Sequence, residues 1–413
     1  MSPRILSTQL NEHVDDTVTL SGWVHRRRVL ARVTFLILRD RAGLAQVVVP
    51  AGVPVPGEES VVEITGKVVA GEVAPGGFEV VYEALTILSE AEPPPVELFR
   101  PAVDAGLPAL LDHAAVSLRH PARRQVFAAS AAAVGAFRAT LDGLGFTEVF
   151  TPKIVGSATE SGANVFALDY FGGKAYLAQS PQFYKQTMVG VFERVYEVGP
   201  VFRAEPHDTS RHLATYTSLD AELGFVRDHR DVMAVLTQVV RAMVAATGAV
   251  AADGPVRAPE EFPVLHFTEA LELAGADPDE PDLAPEHERA IGAWALERHG
   301  SDFVFVEGYP MAKRPFYTHP QPSDPRWSNS FDLLFRGLEL VTGGQRRHRY
   351  ADYTAALGGQ TAGLEGYLEA FRHGMPPHGG FAIGLERFLA RLTGAANVRE
   401  TTLFPRDRHR VTP

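Results

Sequence analysis

Short stretches in which hydrophobic and polar residues alternate occupy most of the first ninety positions of the chain. Turns rich in Gly, Pro and charged residues separate these stretches, and the pattern predicts strands at residues 17–23, 34–39, 46–49, 60–69 and 78–88. Five short strands in so short a segment favour a small β-barrel, although a fragment of an unrelated β-sandwich would give the same pattern.

The pattern changes at Glu92-Pro93-Pro94-Pro95, which ends the strand-rich segment. Consecutive prolines stiffen a chain and stop regular structure, so we predict a hinge or stiff linker here. The predicted division is a first domain over residues 1–92, a linker over 93–118 and a second domain over 119–413.

The second domain mixes helices and strands. An Ala-rich periodic stretch predicts a long helix over residues 121–144, which Gly145 ends. Farther along, helical and strand patterns alternate, with a charged, proline-rich helical stretch at residues 228–300. The whole chain is therefore expected to belong to the α+β class.

Composition narrows the class of protein. Of 413 residues, 45% are hydrophobic and 22% are charged, which is typical of a globular chain. The chain has no cysteine, which excludes disulfides, thiolate metal sites and cysteine nucleophiles. We find no apolar run close to the roughly 20 residues of a membrane span. The sequence also shows no signal-peptide pattern, so we expect a cytoplasmic location and no membrane partner.

The net charge of −11 argues against a nucleic-acid partner, but the distribution of charge matters more than the sum. Residues 22–41 contain six arginines and only one acidic residue, Asp40. One small region of the first domain is therefore strongly basic, as a phosphate-binding surface would be.

Two arginines of the second domain indicate nucleotide chemistry. Arg203 stands in Phe202-Arg203-Ala204-Glu205, where a strand gives way to a polar loop, and we expect its side chain to be buried. Arg387 follows Gly384-Leu385-Glu386, a helix start led by glycine. Two fixed guanidiniums suit a bent nucleoside triphosphate, because each planar fork can grip phosphate oxygens in two places.

These two segments resemble motifs 2 and 3 of the class II aminoacyl-tRNA synthetases. Other segments, in the same order along the chain, are similar to those of the archaeal-type aspartyl-tRNA synthetases of class IIb. They are Gln179-Ser180-Pro181-Gln182-Phe183-Tyr184-Lys185-Gln186, Thr215-Tyr216-Thr217-Ser218-Leu219-Asp220-Ala221-Glu222, Gly343-Gly344-Gln345-Arg346, Met375-Pro376-Pro377-His378-Gly379-Gly380-Phe381 and Phe404-Pro405-Arg406-Asp407-Arg408. No class I signature is present.

The resemblance covers essentially the full length and implies the architecture. It implies an N-terminal OB-fold barrel that binds the anticodon, a hinge, and a catalytic domain built on an antiparallel sheet flanked by helices. Thr151-Pro152 matches the motif 1 proline at the family's dimer interface and implies a homodimer, although Thr-Pro after a strand is also an ordinary turn.

The reaction implied is activation of L-aspartate by ATP to aspartyl-adenylate, followed by transfer to tRNA(Asp). Arg203 and Arg387 would be catalytic, and Tyr216 would lie under the adenine, although a half-buried strand aromatic is the plainer interpretation of Tyr216. The residues implied for ATP are Arg203, Glu205, Arg211, His212, Leu213, Tyr216, Glu339, Gly384 and Arg387.

A magnesium ion is implied beside the phosphates. Glu339 and Thr342 match the family's ligands, and few protein ligands combined with phosphate oxygens is the usual coordination of Mg²⁺. Asp332 is near in sequence; one interpretation is that it supports the magnesium ligands from behind, and the one we expect is an ordinary solvated aspartate at a strand end.

Recognition of aspartate requires a cation for its side chain and an anion for its ammonium group. By resemblance, Arg346 and Lys185 bind the carboxylate and Asp220 binds the amino group. Glu160 resembles part of a loop that closes over the amino acid. The full set implied for aspartate is Glu160, Ser180, Gln182, Lys185, Asp220, Thr342 and Arg346. Without the family, Lys185 and Glu160 would be interpreted as solvated surface charges.

The barrel residues implied for the anticodon are His25, Arg26, Arg28, Phe35, Gln46 and Pro75. Phe35 would stack on a base and Gln46 would read a base edge. The alternatives are that Phe35 is barrel core and that the arginine run is a solvated face.

His25 and Pro75 match the pair found in non-discriminating relatives, where strictly discriminating ones have Trp and Lys. We therefore expect charging of tRNA(Asn) as well as tRNA(Asp). The alternatives are a discriminating aspartyl enzyme, an asparaginyl-tRNA synthetase, a silent tRNA-binding paralogue, or adenylation with transfer to a small acceptor.

Overall fold

The structure is a computed structural model that describes residues 4–156, 165–206, 208–252 and 254–412. It consists of two compact units, Met1–Arg124 and Gln125–Pro413, which are described separately.

The strands of the first unit form a closed barrel. They are β1 (Arg4–Ile5), β2 (Thr17–Val29), β3 (Val33–Arg39), β4 (Leu44–Pro50), β5 (Val61–Ala70) and β6 (Phe78–Ser89). The pairing order is β1-β2-β3-β4-β6-β5, and β5 closes the barrel by pairing with β2. Alternate side chains fill one apolar interior. The predicted barrel is confirmed, and the β-sandwich alternative is wrong.

Strand β2 is longer than predicted and bends at His25. The pairing with β3 shifts between Val24 and Arg26, so His25 is the extra residue of a β-bulge. The bulge turns the His25 side chain into the buried region, while Arg26 and Arg28 beyond it stay exposed. Hydrophobic alternation stops at Trp23, which is why the sequence pattern missed the second half of this strand.

The segment predicted as a stiff linker contains regular structure instead. Helices α1 (Leu107–Asp112) and α2 (Ala114–Ser117) lie within residues 93–118. Val96, Leu98 and Leu111 are buried, so this segment packs rather than remaining extended. The hinge or linker at residues 93–118 stays a prediction; its two short helices were not foreseen because these apolar side chains are too sparse to give a periodic pattern.

The second unit alternates helices and strands along its whole length. Its first half contains α3 (Pro121–Gly143), β7 (Thr147–Glu148), β8 (Ile154–Val155), β9 (Ala167–Tyr170), β10 (Gly173–Leu177), α4 (Gln182–Phe192), β11 (Arg194–Phe202), β12 (Thr215–Gly224) and α5 (His229–Thr247). Its second half contains β13 (Val264–His266), α6 (Phe267–Ala274), α7 (Pro285–His299), β14 (Phe303–Glu307), β15 (Ser330–Phe335), β16 (Glu339–Arg346), α8 (Tyr350–Ala356), α9 (Glu365–Arg372), β17 (His378–Gly384) and α10 (Leu385–Thr393). The predicted long helix is confirmed as α3, and Gly145 adopts a positive φ just after it.

One large sheet organises the second unit. Its order is β13-β14-β15-β16-β17-β12-β11-β7, and β8-β10-β9 form a small separate sheet. The pairs from β14 to β11 are antiparallel, as expected, whereas both edge pairs, β13 with β14 and β7 with β11, are parallel.

The two faces of this sheet differ in character. On β12, Leu219, Ala221 and Leu223 point into an apolar core that includes side chains of α3, α5 and α10. Asp220 and Glu222 alternate with them and therefore project from the opposite face, where Lys185 of α4 meets them. The sheet thus separates an apolar side from a charged one.

Helix α5 is more apolar than predicted. By length and composition, His229–Val250 is the one helix of the described residues that could cross a membrane, although we expected no such run. Half of its most apolar window is buried, and its side chains belong to the core beneath the sheet. One helix of this kind is weak evidence for a membrane span, because core helices have the same composition. The charged, proline-rich composition predicted for residues 228–300 is found only in the part of that stretch that follows this helix.

A buried carboxylate links the start of α5 to the sheet. At the end of β14, Glu307 Oε2 lies 2.8 Å from His229 Nε2, and Glu307 Oε1 accepts from Arg230 Nη2 at 2.5 Å. Burial raises the pKa of Glu307, but the hydrogen bonds from His229 and Arg230 outweigh this and lower it to about 2. A depressed carboxylate pKa stabilises the fold above its unfolded-state value and ceases to do so as the pH falls.

We expect Glu307→Gln to lower the free energy of unfolding by roughly 3 kcal/mol at pH 7, because the pKa is depressed by over two units. The deficit should persist down to about pH 4.5 and shrink toward pH 2 as the wild-type carboxylate takes up its proton. Urea denaturation at several pH values measures it, with the exposed Glu297→Gln as the control. An equal deficit at pH 3 and pH 7 would contradict this account.

Candidate active site

One cavity gathers all the residues predicted to contact ATP. It lies at the ends of β12, β16 and β17 and at the start of α10. Its lining includes Arg203, Glu205, Arg211, His212, Leu213, Tyr216, Ser218, Glu339, Thr342, Gly384, Glu386 and Arg387. These positions span more than 180 residues of sequence, so only the fold brings them together. Their individual roles stay predictions.

Arg203 begins the loop that connects β11 to β12. Its backbone N–H donates to Ala214 O at 2.9 Å, which closes the base of the loop. The guanidinium carbon lies 5.5 Å from the centre of the Tyr216 ring. The side chain is 41% exposed, so the expectation of a buried arginine is wrong. The Arg203 guanidinium lies open to the cavity, where it can reach a ligand.

Two other residues of this loop face each other. His212 Nε2 lies 3.5 Å from Glu205 Oε2, and His212 Nδ1 is 2.6 Å from Thr209 Oγ1. Both ring nitrogens therefore have polar neighbours, which fix the ring at the rim of the cavity.

The opposite wall carries a carboxylate beside the second arginine. Glu339 Oε1 lies 3.5 Å from Arg387 Nη1 and accepts from Thr342 Oγ1 at 3.4 Å. Burial, and after it the negative charge of Asp332, raise the pKa of Glu339 to about 7. A carboxylate with a raised pKa near a second carboxylate favours binding of a cation, because the cation offsets the repulsion.

Asp332 differs from its expected state. It is buried, it pairs across the sheet with Thr342, and it accepts from Arg314 Nη2 at 3.2 Å. The expectation of a solvated aspartate is wrong because β15 lies in the middle of the sheet. Across residues 4–156, 165–206, 208–252 and 254–412, no group of three or more His, Asp or Glu side chains could hold a metal by itself.

Farther along the same strands lies a buried network of four charges. Lys185 Nζ donates to Asp220 Oδ1 at 3.0 Å and lies 3.4 Å from Glu222 Oε2. Arg346 Nε donates to Glu222 Oε1 at 2.9 Å. Two buried cations thus face two buried carboxylates, which offsets the large cost of removing each charge from water.

The sequence did not single out Glu222, although it completes this network. Its position two residues after Asp220 on a strand puts both side chains on one face, and that spacing was the available signal. Burial alone would raise the pKa of Glu222. The positive charges of Arg346 and Lys185 lower this pKa by more than burial raises it, so the carboxylate stays ionised.

Three predicted aspartate contacts, Lys185, Asp220 and Arg346, lie in this network. Ser180 and Gln182 stand at the start of α4, where Gln182 N donates to Ser180 Oγ at 3.2 Å. Thr342 is opposite Ala382, which is in turn opposite Asp220, so the charged network adjoins the cavity wall. Glu160 lies outside the described residues.

A chain of hydrogen bonds fixes the amide of Gln182. His378 Nδ1 lies 2.9 Å from Pro376 O, and a carbonyl only accepts, so Nδ1 carries the proton. The other nitrogen then accepts from Gln186 Nε2 at 3.0 Å, which leaves Gln186 Oε1 to accept from Gln182 Nε2 at 2.9 Å. Burial lowers the pKa of His378 to about 4, so the ring is neutral. Gln182 therefore presents its carbonyl oxygen as an acceptor.

Glu386 is a further residue that the sequence analysis did not assign. Both of its carboxylate oxygens accept from the backbone N–H of Thr217 at 3.0 Å, which ties α10 to β12. Burial raises the pKa of Glu386 to about 7. This bond sets the position of Arg387, the next residue, relative to Tyr216 on the strand.

The predicted anticodon residues lie in the first unit. His25 Nδ1 is 3.0 Å from Arg39 Nη1, and Arg39 is paired with Glu59 at 2.7 Å. Burial and the charge of Arg39 lower the pKa of His25 to about 4, so the ring is neutral near pH 7. Gln46 Nε2 donates to Glu79 Oε2 at 2.8 Å, which fixes the orientation of this amide too.

The remaining barrel residues form a partly exposed surface. Phe35 is half-buried, does not belong to the apolar core of the barrel, and pairs with Arg28 across β2 and β3. Arg26 is exposed, with its guanidinium carbon 4.6 Å from the centre of the Phe99 ring. Pro75 is also exposed and starts a short turn before β6.

Comparison with known protein families agrees with this geometry. Residues 108–408 match the model of the class II tRNA synthetases (D, K and N), and residues 18–88 match that of the OB-fold nucleic acid binding domain. The chain belongs to the class II aminoacyl-tRNA synthetases, and the family resemblance seen in its motifs is confirmed.

Individual relatives narrow the comparison within this family. Aspartate--tRNA(Asp/Asn) ligase of Deinococcus radiodurans is 47% identical over 99% of this chain and 99% of that protein. The protein of the same name from the archaeon Aeropyrum pernix is 41% identical over 97% of this chain and 96% of its own length. Among solved structures, asparaginyl-tRNA synthetase from Pyrococcus horikoshii complexed with asparaginyl-adenylate has a TM-score of 0.92 and 31% identity, with both chains covered completely.

Gly380 makes room for the charged network, and replacing it tests the packing there. A Cβ atom at this position would overlap the carboxylate of Glu222 and the carbonyl oxygen of Ala221. We expect Gly380→Ala to lower the free energy of unfolding by about 1–3 kcal/mol. Chemical denaturation measures this change.

Gly366→Ala is the matched control for that substitution. Gly366 lies in α9 with nothing near the added methyl group, so its replacement should be neutral or stabilising by up to about 1 kcal/mol. Equal stability of the Gly380→Ala variant and the wild type would show that the network has room to move.

Proposed function

We propose that this protein is an aspartate–tRNA ligase. It activates L-aspartate with ATP and transfers the aspartyl group to tRNA(Asp) and also to tRNA(Asn). The observation that carries this proposal is the junction of two sites on β12, β16 and β17. Arg203, Arg387 and Glu339 surround a cavity for a triphosphate, and Lys185 and Arg346 provide cations for an acidic side chain next to it.

The first step needs positioning and charge stabilisation rather than a protein nucleophile. An oxygen of the aspartate α-carboxylate attacks the α-phosphorus in line, the bond from this phosphorus to the bridging oxygen breaks, and pyrophosphate leaves with the electron pair. Arg203, at the open face of the cavity, stabilises charge on the α-phosphate, and Arg387 and His212 hold the distal phosphates. Arg203 lies over one face of Tyr216, which suits this ring for stacking with adenine.

The second step transfers the aspartyl group. A hydroxyl of the 3′-terminal adenosine of tRNA attacks the carbonyl carbon of the adenylate, the bond from this carbon to the phosphate oxygen breaks, and AMP leaves with the electron pair and takes up the hydroxyl proton. Arg203, which holds the α-phosphate in the first step, stabilises the leaving phosphate in the second, so it keeps one role in both steps.

Glu339 and Thr342 are the residues that would hold a magnesium ion. Glu339 Oε1 and Thr342 Oγ1 lie 3.4 Å apart on the cavity wall, and this pair of oxygen ligands is the observation that fits a hard cation there. When bound, Mg²⁺ would neutralise charge on the phosphate oxygens. Thr342 also lies beside the amino-acid end, where it is one of the predicted aspartate contacts.

The charged network favours aspartate over asparagine. The bonds to Asp220 and Phe381 use two of the three donors of Lys185, and a guanidinium has five donors, of which Arg346 uses two on Glu222 and Gly380. Lys185 also lies 3.4 Å from Glu222 Oε2, so Arg346 is the cation with donors left for a substrate carboxylate, and Lys185 adds positive charge beside it. The ammonium group of the substrate suits Asp220 and the carbonyl oxygen of Gln182. The two cations would bind the neutral side-chain amide of asparagine less strongly than the carboxylate of aspartate.

We expect aspartate, and not asparagine, to support exchange between pyrophosphate and ATP. Arg203→Gln should slow this exchange by about 100 to 1000-fold, because it removes one donor to the developing charge. Arg241→Gln, on the exposed side of α5, is the control. Exchange driven by asparagine alone would establish the asparaginyl alternative, and normal exchange by Arg203→Gln would remove this arginine from the mechanism.

Relaxed tRNA choice rests on His25 and Pro75 and agrees with the relatives named Aspartate--tRNA(Asp/Asn) ligase. The two anticodons differ at one base, so a less crowded pocket there accepts both. His25 is neutral and drawn inward by the bulge, and Pro75 carries no charge. These two positions therefore lack the Trp and the Lys expected in discriminating enzymes.

We expect the wild type to charge both tRNAs at rates within a factor of about a thousand, since one anticodon base separates them by no more than a few kcal/mol. His25→Trp with Pro75→Lys should lower the rate for tRNA(Asn) by at least about tenfold relative to tRNA(Asp). Pro75→Lys alone is the safer variant, because Pro75 is exposed whereas His25 is buried.

Unchanged pyrophosphate exchange is the control for these barrel variants. Aspartylation of an asparagine-tRNA transcript more than a thousandfold below that of aspartate-tRNA would refute relaxed choice, leaving the discriminating enzyme.

A homodimer is part of the proposal. Strand β7 is an edge strand of the large sheet, and Phe150, just after it, is 80% exposed. The turn at Thr151-Pro152 is held by Glu197, whose carboxylate accepts from Thr151 N at 3.0 Å and from Thr151 Oγ1 at 2.7 Å. An exposed aromatic next to a rigid turn suits a second copy of this chain, as the motif 1 resemblance implies.

A further inference from the structure

A second cavity meets the active site at two arginines. Arg211 and Arg387 line both cavities, and Arg336 and Arg391 extend the second one beyond the first. Arg391 stands four residues after Arg387 on α10, so the two side chains lie on one face of the helix. Within the described part of the chain, no Asp or Glu lines this second cavity.

The positive charge in the second cavity is only partly compensated. Burial and then the charge of Arg211, together with Arg289 and Arg336, lower the pKa of the Arg391 guanidinium, while Glu288 opposes them. Arg391 Nε is buried and has no hydrogen-bond partner among the described residues. A buried donor without a partner costs free energy that an anion in the cavity would recover.

The other arginines differ in how they are held. Arg336 lies 3.3 Å from Asp302 Oδ2, which balances part of its charge and fixes its position. Arg387 Nη1 lies 3.4 Å from Glu339 O and 3.5 Å from Glu339 Oε1, and the Arg387 side chain lines both cavities. The short side chains that follow α10, from Gly394 to Ala396, leave space on the remaining side.

We propose that this second cavity binds inorganic pyrophosphate as it leaves the active site. This inference rests on the proposed function, which places the distal phosphates of ATP on Arg387 and His212, beside Arg211 in the first cavity. When the bond between the α-phosphorus and the bridging oxygen breaks, the pyrophosphate keeps that oxygen and its electron pair. Arg391 then continues the row of donors away from the α-phosphate, so pyrophosphate moves from one cavity to the next without losing its cationic partners.

The exchange reaction tests this site because pyrophosphate is a substrate in it. We expect Arg391→Gln to raise the KM for pyrophosphate by about tenfold or more, the usual effect of losing one charge-assisted phosphate contact. The KM values for ATP and aspartate should change by less than about twofold, because Arg391 does not line the first cavity. Arg391→Lys keeps the charge and should restore part of the loss, and Arg241→Gln is the control.

Calorimetric titration of inorganic pyrophosphate into the unliganded protein gives a second readout. Weaker binding by Arg391→Gln, with an unchanged melting temperature, supports the site even if the wild type shows no aspartate-dependent exchange. In that case the proposed function fails while the pyrophosphate site stands. An unchanged KM for pyrophosphate, or an equal rise in all three KM values, would overturn the inference.

Discussion

The charged face of β12 is the constraint on which the rest of the second unit depends. Asp220 and Glu222 can be buried only because Lys185 and Arg346 meet them, and the strand alternation that places them there also sends Leu219 and Ala221 into the core. The apolar core and the charged network are therefore two faces of one strand. A change in its register would expose the first and bury unpaired charges of the second.

The two ends of the site use charge in opposite ways. At the amino-acid end the charges are buried and paired within the protein, which gives fixed geometry and selects a ligand that can insert into an existing network. At the phosphate end Arg203 and Arg387 line an open cavity, which puts their donors within reach of a highly charged substrate. The amino acid and the triphosphate thus bind in different electrostatic environments, although both lie on β12, β16 and β17.

Sequence reasoning was most successful where a motif carries its own local geometry. The start of α10 at Gly384 and the loop after Phe202 bring Arg387 and Arg203 to one cavity, as expected. It failed where burial depends on neighbours distant in sequence: Arg203 was expected to be buried and is open, whereas Asp332 was expected to be solvated and is buried. The bulge at His25 and the packing of the linker had no periodic signal, since each depends on pairing or burial by other segments.

The burial of Lys185 has a practical consequence for handling the protein. The chain has only five lysines, and this one is 1% exposed and bonded to Asp220. An amine that is enclosed by the protein and donates to a carboxylate is inaccessible to acylating reagents. Fluorescent dyes, biotin esters or resin linkages that attack amines should therefore attach elsewhere, so that an immobilised or labelled preparation retains an intact amino-acid pocket.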